Sequence, residues 1–282
     1  MNWFMDILRG IVIGVANIIP GVSGGTMAVS MGVYDKFIGA INNIFKKFKQ
    51  SITDILPLGI GMLAGIFGFA FFITFCLDNH PLATNFAFIG LIVGGLPAIF
   101  KRMSVKKAGV PGLIFFVIFF ALIVILPLLA PSQDRDLSMT IGNIIILFFV
   151  GALASATMVI PGVSGSMVLL ILGYYNPVMT ALKSIVGGNL SAIGFMIPVA
   201  LGIVVGIFAV AKLLEVLLQK YTNQTYCAIL GLVLASPVAL LLQGNNPSLL
   251  ASIDFGTAVV SALSLVVGIA IAYFLSKGEK QK

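Results

Sequence analysis

The hexapeptide Ile-Pro-Gly-Val-Ser-Gly occurs twice, at residues 19–24 and 160–165. The spacing, 161 − 20 = 141 residues, is half of the 282-residue chain. Without a gap, the same offset pairs Gly10 with Gly151, Gly32 with Gly173, Tyr34 with Tyr175, Ala40 with Ala181 and Pro57 with Pro198. It also pairs Gly61 with Gly202, Gly65 with Gly206, Phe67 with Phe208 and Gly90 with Gly231. The chain is a tandem duplication, and each half puts Pro and Gly inside an apolar segment. Proline removes a helical N–H and glycine weakens the helix, so each motif marks a break. In a membrane protein, duplicated broken helices point to a central binding site between the repeats.

The setting is a bilayer. The chain is 60% hydrophobic and 9% charged, with a mean hydropathy of +1.15, whereas soluble domains average about 25% charged residues. Apolar runs near the roughly 20 residues that cross a hydrocarbon core fall at 54–77, 84–100 and 110–130, and again at 191–218, 224–242 and 255–275. Strands of a membrane barrel would alternate over about ten residues, and these runs do not. The expected fold is all-α and polytopic, with repeats at 1–141 and 142–282. Each repeat holds a re-entrant hairpin of a broken helix (about 4–44 and 143–182) followed by three transmembrane helices. The N-terminal apolar stretch lacks a small-residue cleavage site, so it reads as retained. Cys76 and Cys227 suggest no disulfide, metal or redox role, no cofactor is called for, and the net charge of +7 is not a nucleic-acid signal.

That charge sits in loops, and it sets the expected orientation. If each broken segment returns to its starting side, each half crosses three times and the second half is inverted. With the N-terminus in the cytoplasm of a bacterial plasma membrane, Lys46–Lys49, Lys101–Lys107, Lys220 and the lysine-bearing C-terminal tail are all cytoplasmic. If each segment spans as one helix, Lys220 and the tail move outside. The inverted arrangement fits the charges. Two full crossings in place of each hairpin would give the same parity, so this alternative stays open.

A break in hydrocarbon exposes backbone groups that protein, water or ligand must satisfy. After Pro20-Gly21 and Pro161-Gly162 a helix restarts. Ser23 or Thr26, and Ser164 or Ser166, are candidate N-caps. A helix start with free N–H groups and a positive dipole end attracts anions. Gly21, Gly24, Gly25, Gly162 and Gly165 would let the backbone approach a ligand, and two opposed tips could meet to bind an anionic head group. Asn17 would line the first tip. Asp6 and Arg9, spaced i,i+3, share a helix face. Arg9 is either a functional intramembrane cation or a snorkelling interface residue. Lys212–Glu215 and Asp35-Lys36 read as interfacial, Tyr34 and Tyr175 as interface anchors, and Gly61-x-x-x-Gly65 and Gly202-x-x-x-Gly206 as close helix contacts.

The paired motifs, each followed by Gly-x-Tyr at Gly32-Val33-Tyr34 and Gly173-Tyr174-Tyr175, resemble the bacterial polyprenyl-phosphate transporter family over nearly the whole chain. Membership implies a flippase that returns undecaprenyl phosphate, the lipid carrier of cell-wall precursors, from the outer to the inner leaflet. The implied partner is a membrane lipid. With no ATP-binding loop, the drive would be a proton or other ion gradient, or the lipid gradient itself. A small-anion channel or exchanger is the alternative. An intramembrane serine protease is disfavoured, because the motif is doubled and the only histidine, His80, falls in a loop.

Overall fold

The computed structural model describes residues 3–17, 23–125, 140–243 and 254–276, and every regular element among them is helical. In chain order the first half forms α1 (Trp3–Ala16), α2 (Gly24–Ser30), α3 (Tyr34–Asn43), α4 (Phe48–Asn79), α5 (Pro81–Phe100) and α6 (Val105–Ile125). The second half forms α7 (Ile141–Val159), α8 (Gly165–Leu172), α9 (Tyr175–Val186), α10 (Ile193–Lys220), α11 (Thr222–Gln243) and α12 (Phe255–Ser276). Among the described residues, seven helices are long and apolar enough to cross a membrane: α4, α5, α6, α7, α10, α11 and α12. The protein is a multi-pass membrane protein. The arms that precede the two motifs differ. At 19 residues, α7 has membrane-crossing length, while the 14 residues of α1 reach only about 21 Å at 1.5 Å per residue.

Each motif is followed by two helices where one was expected. In both halves a left-handed glycine ends the first of them, Gly32 at φ +75° and Gly173 at φ +77°. The bonds that close the two ends match residue for residue. Val33 N donates to Ala28 O (2.9 Å) as Tyr174 N does to Leu169 O (2.8 Å), and Gly32 N to Val29 O as Gly173 N to Leu170 O. Only glycine adopts this conformation without a Cβ penalty, which makes it the usual helix stop. The second break turns α9 by 112° from α8.

Packing repeats the duplication. α1 lies along α4, and α7 along α10. A methyl on Gly10 would strike the Leu58 carbonyl and one on Gly61 the Ile7 carbonyl; at the equivalent sites Gly151 faces Val199 and Gly202 faces Phe148. The small-residue motifs thus bring backbones together as expected. The other two long pairs cross between halves, α5 with α12 and α11 with α6. Here the register slips. Gly90 sits against Leu265 and Gly231 against Phe116, so 265 − 116 = 149 where 231 − 90 = 141, an eight-residue difference.

The main core joins α2, α3, α5 and α11 through Met27, Met31, Val33, Ile92, Ile229 and Val233. Large apolar residues stay exposed on the outer faces, among them Phe67, Phe71 and Phe75 of α4 and Leu263 and Val267 of α12. A contiguous apolar exterior suits lipid, not water.

Candidate functional site

The start of α2, just past the first motif, touches the second motif. Gly162 N donates a buried hydrogen bond to Thr26 Oγ1 (2.7 Å), and a Cβ on Gly25 would lie 3.2 Å from Met158 O and 3.3 Å from Pro161 Cα. Tyr34 Oη donates to Val159 O (2.9 Å). Tyr34 is therefore no interface anchor. At 3% exposure it ties α3 to the last residue of α7.

Ser23 and Ser164 occupy equivalent N-cap positions with nearly identical backbones, φ −96°, ψ 132° and φ −92°, ψ 134°. Neither hydroxyl caps its helix, contrary to the expectation from residue type. The first N–H groups of α2 and α8 have no intrahelical acceptor, and the serine oxygens do not fill that role. Ser23 is 3% exposed, and its buried hydroxyl has no hydrogen-bond partner among the described residues. A buried, unpaired hydroxyl costs about 1–3 kcal/mol, and such a group calls for an explanation such as a ligand. Ser164 and Ser166 pair with each other at 2.7 Å (Oγ···Oγ) on a more open surface.

The glycines pack against protein. Asn17 is exposed, and its side-chain amide occupies the space beside Gly24, where a Cβ would lie 2.6 Å from Oδ1. Its repeat equivalent Met158 lies farther from Gly165, with Cε 3.5 Å from the position of an added Cβ, and the Ala154 carbonyl is nearer at 2.8 Å. Gly162, at φ +90°, presses on Leu232. Pro161, Gly162, Gly165, Gly25 and Thr26 are buried. Pro20 and Gly21 lie outside the described residues.

Arg9 does not snorkel. It is 4% exposed. Nη1 donates to Asp6 Oδ1 (2.9 Å), and Nε and Nη2 donate to Leu275 O at the end of α12 (3.0 and 2.9 Å). Lys36 Nζ holds the other Asp6 oxygen at 2.6 Å. Two cations thus share one carboxylate. Asp35 and Lys36, read as interfacial, are half-buried, and both are ion-paired. The Asp35 carboxylate pairs with Arg102 and accepts a hydrogen bond from Tyr226 Oη (3.0 Å). Arg102 also donates to Gly32 O (3.2 Å). These residues line a small cleft with Tyr34, Ala98 and Ile99. Lys212–Glu215 is a partly exposed surface pair.

The sequence profile of the undecaprenyl phosphate translocase-like family (VCA0040-like) matches residues 13–246 and 192–280. The chain belongs to this family. A polyprenyl-phosphate transporter of Staphylococcus aureus is 30% identical over 238 residues, which cover 83% of this chain and 84% of that protein. A polyprenyl-phosphate transporter of Vibrio cholerae is 29% identical over 255 residues, covering 84% and 77%. No solved structure matches the chain. Beyond the serines, Asp35, Lys36, Arg102 and Tyr226 form a polar cluster in this chain that residue type alone assigns to an interface or does not single out. Their one sequence signal is scarcity: in a chain only 9% charged, an acid beside a base next to a glycine stop is worth noting.

Proposed function

We propose that this chain moves a polyprenyl phosphate, returning undecaprenyl phosphate from the outer to the inner leaflet of the bacterial plasma membrane. The observation that carries the reading is the buried, unpartnered Ser23 hydroxyl beside the junction of the two motifs. A phosphate stripped of water faces a cost of tens of kcal/mol in the Born limit. It needs donors supplied together, and Ser23, Ser164, Ser166 and the leading N–H groups of α2 and α8 are donors of that kind. The helix starts add positive dipole ends. The isoprenoid tail stays in lipid while the head group travels. Arg9 acts at a distance, because its guanidinium is committed to Asp6 and Leu275; with Lys36 it leaves an excess positive charge that attracts the head group. In this reading the halves are inverted repeats with both termini cytoplasmic, the motif arms exchange roles by rocking, and an ion or lipid gradient supplies the drive. Among the described residues neither serine has a base as a hydrogen-bond partner: Ser164 meets Ser166, and Ser23 meets none. That speaks against a nucleophilic serine.

Binding tests the reading. A fluorescent polyprenyl phosphate should bind the purified protein in detergent, and the matching polyprenol should bind at least about tenfold more weakly, since each charged hydrogen bond contributes about 1.5–3 kcal/mol. Equal binding of the two lipids would contradict a phosphate site.

A further inference from the structure

The two halves match in sequence but not in packing. In the first half α2 is buried from Gly25 to Ser30 and lies on α5, where Gly95 fits against Ser30 with no room for a methyl. In the second half only Gly165 and Met167 of α8 are buried, and α8 has no comparable packing on α11. Likewise α3 packs on α10, with Asn42 Nδ2 donating to Ala211 O (2.9 Å), while α9 has no comparable packing on α4. Exposure follows the same division. Ser23 and Thr26 are sealed, whereas Ser164 is half-buried and Ser166 exposed.

Three consecutive residues hold the sealed side. Tyr34 bonds the Val159 carbonyl of α7, Asp35 binds Arg102 and Tyr226 of α11, and Lys36 binds Asp6 of α1. They form the first turn of α3, directly after the Gly32 break. Arg9 extends the cluster to the end of α12. At the 141-residue offset, Asp6, Arg9, Asp35, Lys36 and Arg102 become Leu147, Val150, Asn176, Pro177 and Gln243. No charge is repeated. Gly95 becomes Ser236, so the close seat for α2 is not repeated either.

We infer that Tyr34-Asp35-Lys36 is a latch that holds one end of the protein closed and biases it toward a conformer in which the Ser164 and Ser166 hydroxyls, not those of Ser23 and Thr26, are reachable. The inference rests on the transporter reading for what the closure does. With the basic loops cytoplasmic, the latched end is the cytoplasmic one, and the protein rests open to the outer leaflet, where its cargo arrives. A latch shifts a two-state equilibrium only by the bonds it makes in one state and loses in the other; here those of Asp35 and Lys36 are charge-assisted, and that of Tyr34 is to a backbone carbonyl. Opening inward requires Asp35 to release Arg102 and Tyr226, and Lys36 to release Asp6.

The test is accessibility of Ile99, which lines the latch cleft at 1% exposure. Ile99→Cys would be introduced with Cys76→Ser and Cys227→Ser, and labelled with a membrane-impermeant maleimide in inside-out vesicles. Labelling should be slow with the latch intact and severalfold faster with Asp35→Asn or Arg102→Gln, the pair being partly exposed and so partly screened. Lys212→Gln, in the surface pair, should change nothing. Should Asp35→Asn fail to fold, Tyr226→Phe removes only a hydroxyl and should still speed labelling. Restoration of slow labelling by Asp35→Arg with Arg102→Asp would support the pairing. Fast labelling with the latch intact, or no response to the folded latch variants, would overturn the inference. The assay contains no added lipid substrate, so such a failure would leave the binding test above untouched.

Discussion

Gly162→Ala is expected to abolish lipid flipping and to lower the thermal unfolding midpoint. Gly162 has φ +90°, a conformation that costs a residue with a side chain about 1–2 kcal/mol. The added methyl would also lie 2.7 Å from Leu232 Cβ and from Leu232 O, and overpacking of this kind costs typically about 1–3 kcal/mol. The strain falls where Gly162 N reaches Thr26 Oγ1, the link between the two motifs. Gly188→Ala separates the causes: its φ is +88°, but nothing lies within 4 Å of the new methyl. It should show only the backbone cost and keep transport. Thr26→Val, which leaves Gly162 N buried without its acceptor, should resemble Gly162→Ala, and Thr26→Ser should not. Normal flipping by Gly162→Ala would mean that the junction of the motifs has no part in transport.

The paired serines should give the second large effect. Ser23→Ala or Ser164→Ala alone is expected to slow flipping about tenfold or more, and the double variant should bring it to the background of protein-free vesicles, with each lost bond to phosphate contributing about 1.5–3 kcal/mol. Stability should move the other way for Ser23. Replacing a buried hydroxyl that has no partner with a methyl removes a desolvation cost, so the unfolding midpoint should hold or rise. A gain in stability with a loss of function marks a group kept for its ligand. Ser164→Ala loses only the exchange with Ser166 and should be neutral for stability. A serine-protease mechanism would make Ser23→Ala fatal and Ser164→Ala harmless.

Much of the architecture was legible because its causes are local. Pro-Gly pairs break helices, GxxxG stripes bring helices together, and long apolar runs cross bilayers; that the stripes of α4 and α10 meet α1 and α7 is seen only in the structure. Other features depend on partners distant in sequence. Gly32 and Gly173 stand in apolar stretches where a glycine is ordinary, and only the backbone shows that they end α2 and α8. The pairing of α5 with α12 and of α6 with α11 joins opposite halves, and periodicity does not say which helix a face will meet. The site was legible in part. The doubled motif points to a candidate site, and the start of α2 meets the second motif through Thr26 and Gly162, while Pro20 and Gly21 lie outside the described residues. The hydroxyls were assigned as caps on residue type, yet both stand free of that role. Arg9 could not be placed from spacing, because its acceptor, Leu275, lies 266 residues away.

Reconstitution tests the transport reading most directly. Proteoliposomes carrying a fluorescent polyprenyl phosphate in both leaflets would be exposed to a membrane-impermeant quencher, with chloride and inorganic phosphate fluxes followed in parallel vesicles. The signal should fall past the half protected in protein-free vesicles as inner-leaflet lipid is carried out, the Ser23→Ala, Ser164→Ala double variant should not pass that plateau, and neither small anion should move. Chloride or phosphate flux with the lipid fixed at the half-quenched plateau would contradict lipid transport and make the protein a small-anion channel or exchanger.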